Sequence, residues 1–437
     1  MNVRVDWSSS RSSGLHGEII VPGDKSVSHR SIMFAALAEG VSTIDGFLEG
    51  EDTLATAAAF SRMGVRIETP SSSRRVVHGV GLHGLRAADG PIDCGNAGTG
   101  MRLLAGLLAG QRFDTTLIGD ESLSRRPMGR VIDPLARMGA IITADAGGVP
   151  PLRIRGGCTL GGITYAPPVA SAQIKSAVLL AGLYAEGVTE VHEAHPTRDY
   201  SERMLAAFGW PIEFADGWAR LSGGHALRAT HVIVPADFSS AAFFLVAATL
   251  VPRSELLLRS VGLNPRRTGL LSALRLMGAD IVEQNRREQG GEVIADLCVR
   301  HAPLHGIEVP VELVPDMIDE FPILFIAAAA ARGKTRIHGA GELRVKESDR
   351  IAAMARGLLA IGADIVEHDD GATIVGGALA GGAVDSCGDH RIAMSFAVAG
   401  LVARAPVMID DCANVATSFP AFIALANGVG FAVAPVP

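Results

Sequence analysis

Lysine and cysteine are both scarce in this sequence. Only four of its 39 basic residues are lysine, and the other 35 are arginine. The 437 residues include five cysteines, which are scattered and form no CxxC pair. This odd, dispersed set argues against a disulfide framework and against a structural zinc site. Free thiols fit a reducing compartment, so we expect a cytoplasmic protein.

The sequence also lacks an apolar run long enough to cross a membrane, although 48 % of its residues are hydrophobic. The longest run, 321–331, has eleven residues, whereas a spanning helix needs about 20. No signal-peptide core is visible in the opening MNVRVDWSSSRSSG. The net charge of −7 argues against a general nucleic-acid binder. We therefore expect neither a membrane nor a nucleic acid as partner.

The high apolar content is concentrated in six stretches of helical length, each preceded by a short polar head. A helix that is apolar on all sides must be buried on all sides, so each head is an enclosed helix N-terminus. Helix N-termini present free amide donors and a partial positive charge, and they attract anions. The pattern predicts a site for negatively charged small molecules. The heads begin near Lys25, Asn96, Ser171, Asp237, Asp316 and Asp389.

A second pattern runs in phase with the first and indicates six repeated α/β units. Each copy consists of a helix end, a glycine and a β-like tail, as in LARMGAIIT and LLAIGADIV. Glycine readily adopts the left-handed conformation that ends a helix. The six glycines are Gly64, Gly139, Gly209, Gly278, Gly362 and Gly430. Three units fall in 22–236 and three in 237–437, which predicts two domains.

The polar heads differ in their chemistry. GDKSVSHR places Lys25, Ser26 and Arg30 together at a helix start, as a phosphate or carboxylate requires. The alternative is a solvated capping segment. VPDMIDEF places Asp316 at a helix start, where the carboxylate could be a functional acid or simply an N-cap.

Six motifs together identify a resemblance that covers essentially the whole chain. GDKSVSHR, GNAGTGMR, RRPM, SAQIKSA, RVKESDR and CGDHRIAM occur in the same order as in the EPSP synthase family, the 3-phosphoshikimate 1-carboxyvinyltransferases. The resemblance implies a two-domain α/β enolpyruvyl transferase fold. Each domain is expected to be an inside-out α/β barrel of three βαβαββ units, with buried parallel helices directed at a cleft. It also implies that 1–21 joins 237–437 in the second domain.

The family's reaction transfers the enolpyruvyl group of phosphoenolpyruvate to the 5-hydroxyl of shikimate 3-phosphate and releases phosphate. It proceeds by addition and elimination and uses no metal or cofactor. The resemblance implies that Asp316 is the base and that Glu347, with Lys25 nearby, is the proton donor. We expect the protein to be a monomer. The residues expected to bind the two substrates are Lys25, Ser26, Arg30, Gly98, Arg126, Ser171, Ala172, Gln173, Arg198, Asp316, Lys346, Arg350 and Arg391.

The sequence departs from the family pattern at three places. Thr417 stands where some members have a lysine that contacts phosphoenolpyruvate, Ala172 replaces the second serine of SSQ, and TRDYSER differs from the serine-tyrosine version of that pocket. Gly98 leaves room in the site, so we expect ordinary inhibition by glyphosate. Two rival hypotheses are a UDP-N-acetylglucosamine enolpyruvyl transferase and a non-catalytic anion-binding protein. The first usually has a loop cysteine after R-P-x-G, which RRPMGRVIDP lacks.

Overall fold

The structure is a computed structural model that describes residues 5–436. The first four residues of the predicted N-terminal segment lie outside this range. Twelve α-helices occur in the described residues: α1 (Lys25–Leu37), α2 (Glu51–Arg62), α3 (Gly98–Ala109), α4 (Gly129–Arg137), α5 (Ala172–Gly182), α6 (Tyr200–Ala207), α7 (Phe238–Leu250), α8 (Gly269–Leu276), α9 (Phe321–Ala330), α10 (Arg350–Ala360), α11 (His390–Gly400) and α12 (Phe422–Gly428).

The strands of the same range form six small sheets. They are β1 (Asp6–Ser9), β2 (His16–Ile19), β3 (Ala38–Asp45), β4 (Arg66–Ser71), β5 (Arg74–Val80), β6 (Ile92–Asp93), β7 (Thr115–Ile118), β8 (Ile142–Asp145), β9 (Val149–Ile154), β10 (Thr164–Tyr165), β11 (Val188–His192), β12 (Ile212–Ala215), β13 (Trp218–Ser222), β14 (Leu227–Arg228), β15 (His231–Ile233), β16 (Glu255–Gly262), β17 (Asp280–Gln289), β18 (Glu292–Arg300), β19 (Lys334–Ile337), β20 (Asp364–His368), β21 (Gly371–Val375), β22 (Gly382–Asp385), β23 (Val407–Asp410) and β24 (Val433–Val436).

The chain divides into two compact units, here called unit N and unit C. Unit N comprises Gly23–Val234 with the short insertion Gln289–Glu292. Unit C comprises the chain up to Pro22, Pro235–Glu288 and the chain from Val293 onward. Each unit has three sheets and its own hydrophobic core. The predicted two-domain α/β fold with three repeated units in each domain is confirmed.

The three sheets of unit N share one topology. The strand that follows each buried helix (β3, β7 or β11) is antiparallel to the last strand of its repeat (β5, β9 or β13). On its other edge the same strand is parallel to a short strand. For β3 that short partner is supplied by β14 and β15, from the end of unit N. The last segment of the unit is thereby hydrogen-bonded to its first repeat.

Unit C uses the amino-terminal segment to complete two of its sheets. β2 is parallel to β16, and β1 is antiparallel to both β23 and β24. The final sheet therefore has the order β22-β23-β1-β24, with the earliest strand of the chain inside it.

The apolar helices occupy the cores, as their composition predicts. In α7 the residues from Phe238 to Thr249 are all buried, and in α9 so are those from Phe321 to Ala329. The six glycines that end the second helices have φ between 79° and 108°, which confirms the predicted left-handed ends. No helix in the described part of the chain is long and apolar enough to cross a membrane.

One helix start differs from the sequence prediction. Asp316 does not begin or cap the fifth apolar helix, because it lies in a separate 3-10 turn, Pro315–Met317. The helix α9 begins at Phe321, with Pro322 in its first turn. Proline is favoured there because the amide it lacks would have no partner within the helix. The prediction that Asp316 stands at this helix start is therefore wrong.

Candidate active site

In unit N, two guanidinium groups converge on the first residue of α3. A Cβ atom added to Gly98 would lie 3.1 Å from Nη1 of both Arg102 and Arg126. No side chain caps this helix start. Its amides and the two arginines therefore form a cationic cradle suited to an anion. We call Gly98, Arg102 and Arg126 the α3 cradle.

Neutral amide side chains hold both arginines of the α3 cradle. Arg126 Nη2 donates to Asn96 Oδ1 at 2.6 Å, and Arg102 Nη1 donates to Gln173 Oε1 at 2.9 Å. Gln173, in the first turn of α5, itself donates to Thr99 Oγ1 at 2.8 Å. The structure thus brings together three predicted residues, Gly98, Arg126 and Gln173. Sequence reasoning assigned no role to Asn96, although the motif GNAGTGMR contains it.

The start of α1 is organised as its sequence predicts. Asp24 caps the helix by accepting from the Val27 amide at 2.9 Å, and Lys25 is its first residue. Lys25 Nζ forms an ion pair of 2.5 Å with Asp52 on α2. No signal in the sequence pointed to Asp52 as this partner. The ion pair holds a partly exposed ammonium group at the entrance of the helix.

Arg30 lies one turn further along α1 and is buried. Its guanidinium donates to Ser201 Oγ at 2.7 Å, to Ser176 Oγ at 2.8 Å and to the Ser26 carbonyl at 3.0 Å. These acceptors are all neutral. Burial, followed by the neighbouring positive charge of Arg198, lowers the pKa of Arg30 to about 10. An anion near Arg30 and Arg198 would relieve this repulsion.

The start of α5 contributes the remaining predicted residues of unit N. Ser171 is the N-cap, and its hydroxyl accepts from the Ile174 amide at 3.4 Å. Ala172 is the first helical residue and is mostly buried. The methyl group of Ala172 offers no hydrogen bond, so Ser171 supplies the hydroxyl at this helix start.

In unit C, a second set of charged residues surrounds the turn before α9. Asp316 Oδ2 lies 3.6 Å from Arg266 Nη1. Asp319 Oδ2 accepts from Arg267 Nη1 at 2.8 Å, and its Oδ1 lies 3.9 Å from Lys346 Nζ. The VPDMIDEF segment predicted a role for Asp316 but gave no signal for Asp319. The carboxylate of Asp319 connects the turn with the segment that carries Lys346.

Arg350 is a buried cation of unit C that two carboxylates hold. It is 1 % exposed, donates through Nε to Asp389 Oδ2 at 2.8 Å and donates through Nη2 to Glu347 Oε2 at 2.7 Å. Burial alone would lower the pKa of Arg350, but the nearby carboxylates of Asp389 and Glu347 raise it above its ordinary value. Among the described residues its Nη1 has no hydrogen-bond partner. Nη1 lies 3.7 Å from Asp319 Oδ1, beyond hydrogen-bond distance, so this buried donor has capacity for a ligand oxygen.

Asp389 connects Arg350 to the predicted Arg391. The Asp389 carboxylate caps α11 by accepting from the Arg391 amide at 2.9 Å. Burial would raise the pKa of Asp389, but Arg350 holds it below its ordinary value. The Arg391 guanidinium donates to the Asp319 carbonyl at 3.1 Å. Lys346, Glu347, Arg350 and Arg391 are thus gathered around Asp319 and Asp389.

Two segments left without a role in the sequence have structural ones. Asp237 caps α7 by accepting from the amides of Ser239 and Ser240, and it lies 3.7 Å from Arg267. Ser239 in turn donates to Glu320. Thr417, at the position of the family's lysine, donates to the Asn414 carbonyl at 2.7 Å. In the described residues no group of three or more His, Cys, Asp or Glu side chains could hold a metal ion.

Comparison with known proteins adds evolutionary information to this geometry. The family model of EPSP synthase (3-phosphoshikimate 1-carboxyvinyltransferase) matches residues 10–425. Proteins named 3-phosphoshikimate 1-carboxyvinyltransferase from Xanthomonas campestris and Xanthomonas oryzae are each 66 % identical to the chain. The first match covers 99 % of this chain and 98 % of the relative, and the second covers 97 % of each.

Solved structures give the same result at the level of the backbone. An EPSP synthase structure from Acinetobacter baumannii superposes with a TM-score of 0.89 at 50 % identity. The match covers 99 % of this chain and 100 % of that one. A second structure of the enzyme from this organism has a TM-score of 0.88 at 48 % identity.

Proposed function

The chain belongs to the EPSP synthase family, and on this premise we propose that it transfers the enolpyruvyl group of phosphoenolpyruvate to the 5-hydroxyl of shikimate 3-phosphate. The observation that carries the proposal is the α3 cradle, where Arg102 and Arg126 converge on Gly98. Phosphoenolpyruvate has a carboxylate and a phosphate, and both suit guanidinium groups.

In this proposal phosphoenolpyruvate is bound by Gly98, Arg126, Arg350 and Arg391. The α3 cradle supplies helix amides and a guanidinium. Arg350 supplies its buried Nη1, which lacks a hydrogen-bond partner within residues 5–436. Because Asp389 and Glu347 hold the rest of the Arg350 guanidinium, the donor is preorganised and little entropy is lost on binding.

Shikimate 3-phosphate is assigned to the starts of α1 and α5 and to the cations beside them. Lys25 and Ser26 stand in the first turn of α1. Arg30 and Arg198 repel each other electrostatically, which a dianionic phosphate would relieve. Lys346 is assigned to a ring hydroxyl. The remaining members of this group, at the start of α5, are Ser171, Ala172 and Gln173.

The proposed chemistry needs one base and one acid. Asp316 takes the proton of the 5-hydroxyl of shikimate 3-phosphate while the hydroxyl oxygen forms a bond to C2 of phosphoenolpyruvate. Glu347, with Lys25, delivers a proton to C3, which gives the tetrahedral adduct. Elimination reverses the C3 transfer and breaks the bond between C2 and the phosphate oxygen. C3 gains one proton in the addition and loses one in the elimination. Phosphate departs with the proton that Asp316 took from the 5-hydroxyl, so the atoms balance.

Phosphate release from phosphoenolpyruvate tests the function. We expect release with shikimate 3-phosphate and none with UDP-N-acetylglucosamine. The opposite preference would identify the sister enolpyruvyl transferase, and no release with either acceptor would favour an anion-binding protein. Asp316→Asn is expected to lower kcat by about 100-fold or more, the scale of general base catalysis. The exposed Asp369 provides a matched control, Asp369→Asn, with unchanged kcat.

We further propose a cytoplasmic monomer with domains 22–236 and 1–21 plus 237–437. The five cysteines are free thiols, which suit a reducing compartment. Light scattering measures the mass of the particle against 45.4 kDa for one chain. Limited proteolysis of the whole protein tests the boundaries, because cleavage concentrates where few contacts cross the chain.

A further inference from the structure

Lys175 is a buried cation that the proposed mechanism does not use. It lies in α5 with its side chain 4 % exposed. Its Nζ is 2.7 Å from Glu193 Oε2, 2.8 Å from Glu202 Oε1 and 3.3 Å from the Thr197 carbonyl. An ammonium group has three N–H donors. The three protein oxygens satisfy all of them, so Lys175 has no donor left for a ligand.

The two carboxylate partners of Lys175 hold different elements beside Arg30 and Arg198. Glu193 also accepts from the amide of Thr197 at 3.2 Å and from its hydroxyl. Thr197 directly precedes Arg198, so this carboxylate fixes the loop that carries Arg198. Glu202 belongs to α6 and follows Ser201, the acceptor of Arg30 Nε. The ion pair of Glu202 with Lys175 therefore ties α6 to α5.

The hydroxyl acceptors of Arg30 continue this connection. Ser176 follows Lys175 in α5 and accepts from Arg30 Nη2 at 2.8 Å. Ser201 Oγ donates to Ser176 Oγ at 2.8 Å. The two acceptors of Arg30 thus stand on the two helices that Lys175 joins. A displacement of α6 against α5 would separate them and release the guanidinium.

The charges of Lys175, Glu193 and Glu202 also act on Arg30. One ammonium is shared by two buried carboxylates, so the cluster has a net negative charge when all three groups are ionised. Burial would lower the pKa of Lys175, but Glu202 and Glu193 raise it. Burial raises the pKa of Glu202, and the attraction of Lys175 offsets only part of this increase. The remaining negative charge lies close to Arg30 and partly offsets its repulsion by Arg198.

We propose that Lys175 is a positioning residue, which through Glu193 and Glu202 holds Arg198 and Arg30 in place for the phosphate group of shikimate 3-phosphate. This inference rests on the proposed function. It predicts a selective effect, because Asn96 and Gln173 hold the arginines of the α3 cradle, whereas Lys175 acts through the Thr197 loop and α6. Loss of Lys175 should weaken the binding of shikimate 3-phosphate far more than the binding of phosphoenolpyruvate.

Steady-state kinetics of Lys175→Met, with both substrates varied, tests the proposal. We expect the KM for shikimate 3-phosphate to rise about tenfold or more and the KM for phosphoenolpyruvate to change less than threefold. Lys334→Met is the matched control, since Lys334 is exposed on β19 of unit C. Both of its KM values should equal those of the unmodified enzyme.

A second variant keeps the test valid if Lys175→Met does not fold, as circular dichroism would reveal. Glu193→Gln removes the carboxylate that orients Thr197 but leaves Lys175 paired with Glu202, and it should raise the same KM by about fivefold. The proposal is overturned if a folded variant keeps its KM for shikimate 3-phosphate within twofold, or if both KM values rise equally. An unmodified enzyme that releases no phosphate with shikimate 3-phosphate would instead overturn the function, and this inference with it.

Discussion

Replacing Gly98 by alanine adds one methyl group to the α3 cradle. The new Cβ would lie 3.1 Å from Nη1 of Arg102 and of Arg126, and 3.6 Å from Leu123 Cδ1. Contacts of 3.1 Å are tighter than most real Cβ contacts, so each guanidinium must move by about 0.3 Å. Gly98 is not among the glycines with positive φ, so the backbone accepts alanine without strain.

The two consequences of this substitution have opposite signs. Alanine restricts the unfolded chain, so the free energy of unfolding should rise by about 0.4–1 kcal/mol. A hydrogen bond to a charged group contributes about 1.5–3 kcal/mol. If the displaced guanidinium loses half of such a bond, binding weakens by about 1 kcal/mol, which is roughly a fivefold rise in the KM for phosphoenolpyruvate. The protein should thus become more stable and bind this substrate more weakly.

Steady-state kinetics and thermal unfolding of Gly98→Ala measure both effects. Gly129→Ala is the matched control, because Gly129 is also the first residue of its helix and an added Cβ would meet nothing within 4 Å. We expect glyphosate to inhibit the unmodified enzyme in competition with phosphoenolpyruvate and to inhibit Gly98→Ala less. Unchanged KM in the Gly98 variant, or an equal rise in the control, would refute the reasoning. Full activity of the unmodified enzyme at millimolar glyphosate and low phosphoenolpyruvate would refute the inhibition.

Three further predictions follow from buried groups. Burial, Lys25 and Arg30 hold the pKa of His29 well below 6.5. The unfolded chain therefore binds more protons than the folded one, and the free energy of unfolding falls as the pH drops below 6.5. In denaturant unfolding measured at a series of pH values, His29→Gln should reduce this fall by up to about 1.4 kcal/mol per pH unit. Arg350→Lys cannot maintain both carboxylate contacts, and kcat/KM for phosphoenolpyruvate should fall by about 100-fold, whereas a fall below threefold would contradict its role. Gly106→Ala would place a Cβ 2.1 Å from the Ala177 carbonyl oxygen, which should cost about 3 kcal/mol of unfolding free energy; a melting temperature within 2 °C of the parent would exclude this close approach.

The helix-ending glycines and the polar heads were predictable because both are local. A glycine such as Gly362 is required by its own φ of 83°, whatever lies elsewhere in the fold. Asp316 was assigned to the wrong element because three acids precede the same apolar run, and only the position of Pro322 distinguishes the turn from the helix. Local sequence patterns do not show which of these neighbouring acids stands at the start of the helix.

The ion cluster of unit N was not predictable for a different reason. Lys175 and its partners Glu193 and Glu202 stand on separate elements. No periodicity connects them, and a buried ion pair depends on helix packing. The lysine was conspicuous in an arginine-rich chain, but its partners became evident only when the fold brought them together.

The position of β1 affects the order in which this protein can be completed during synthesis. β1 is made first, yet its neighbours β23 and β24 come from the last part of the chain, and Asp6 pairs with Val436. β1 therefore stays unpaired on both edges while unit N, which is almost one continuous segment of the chain, leaves the ribosome and can fold. Until β23 and β24 have been made, those exposed edges are available to strands of other chains. The interval between the first and last strands is thus the stage at which a nascent molecule is most open to aggregation.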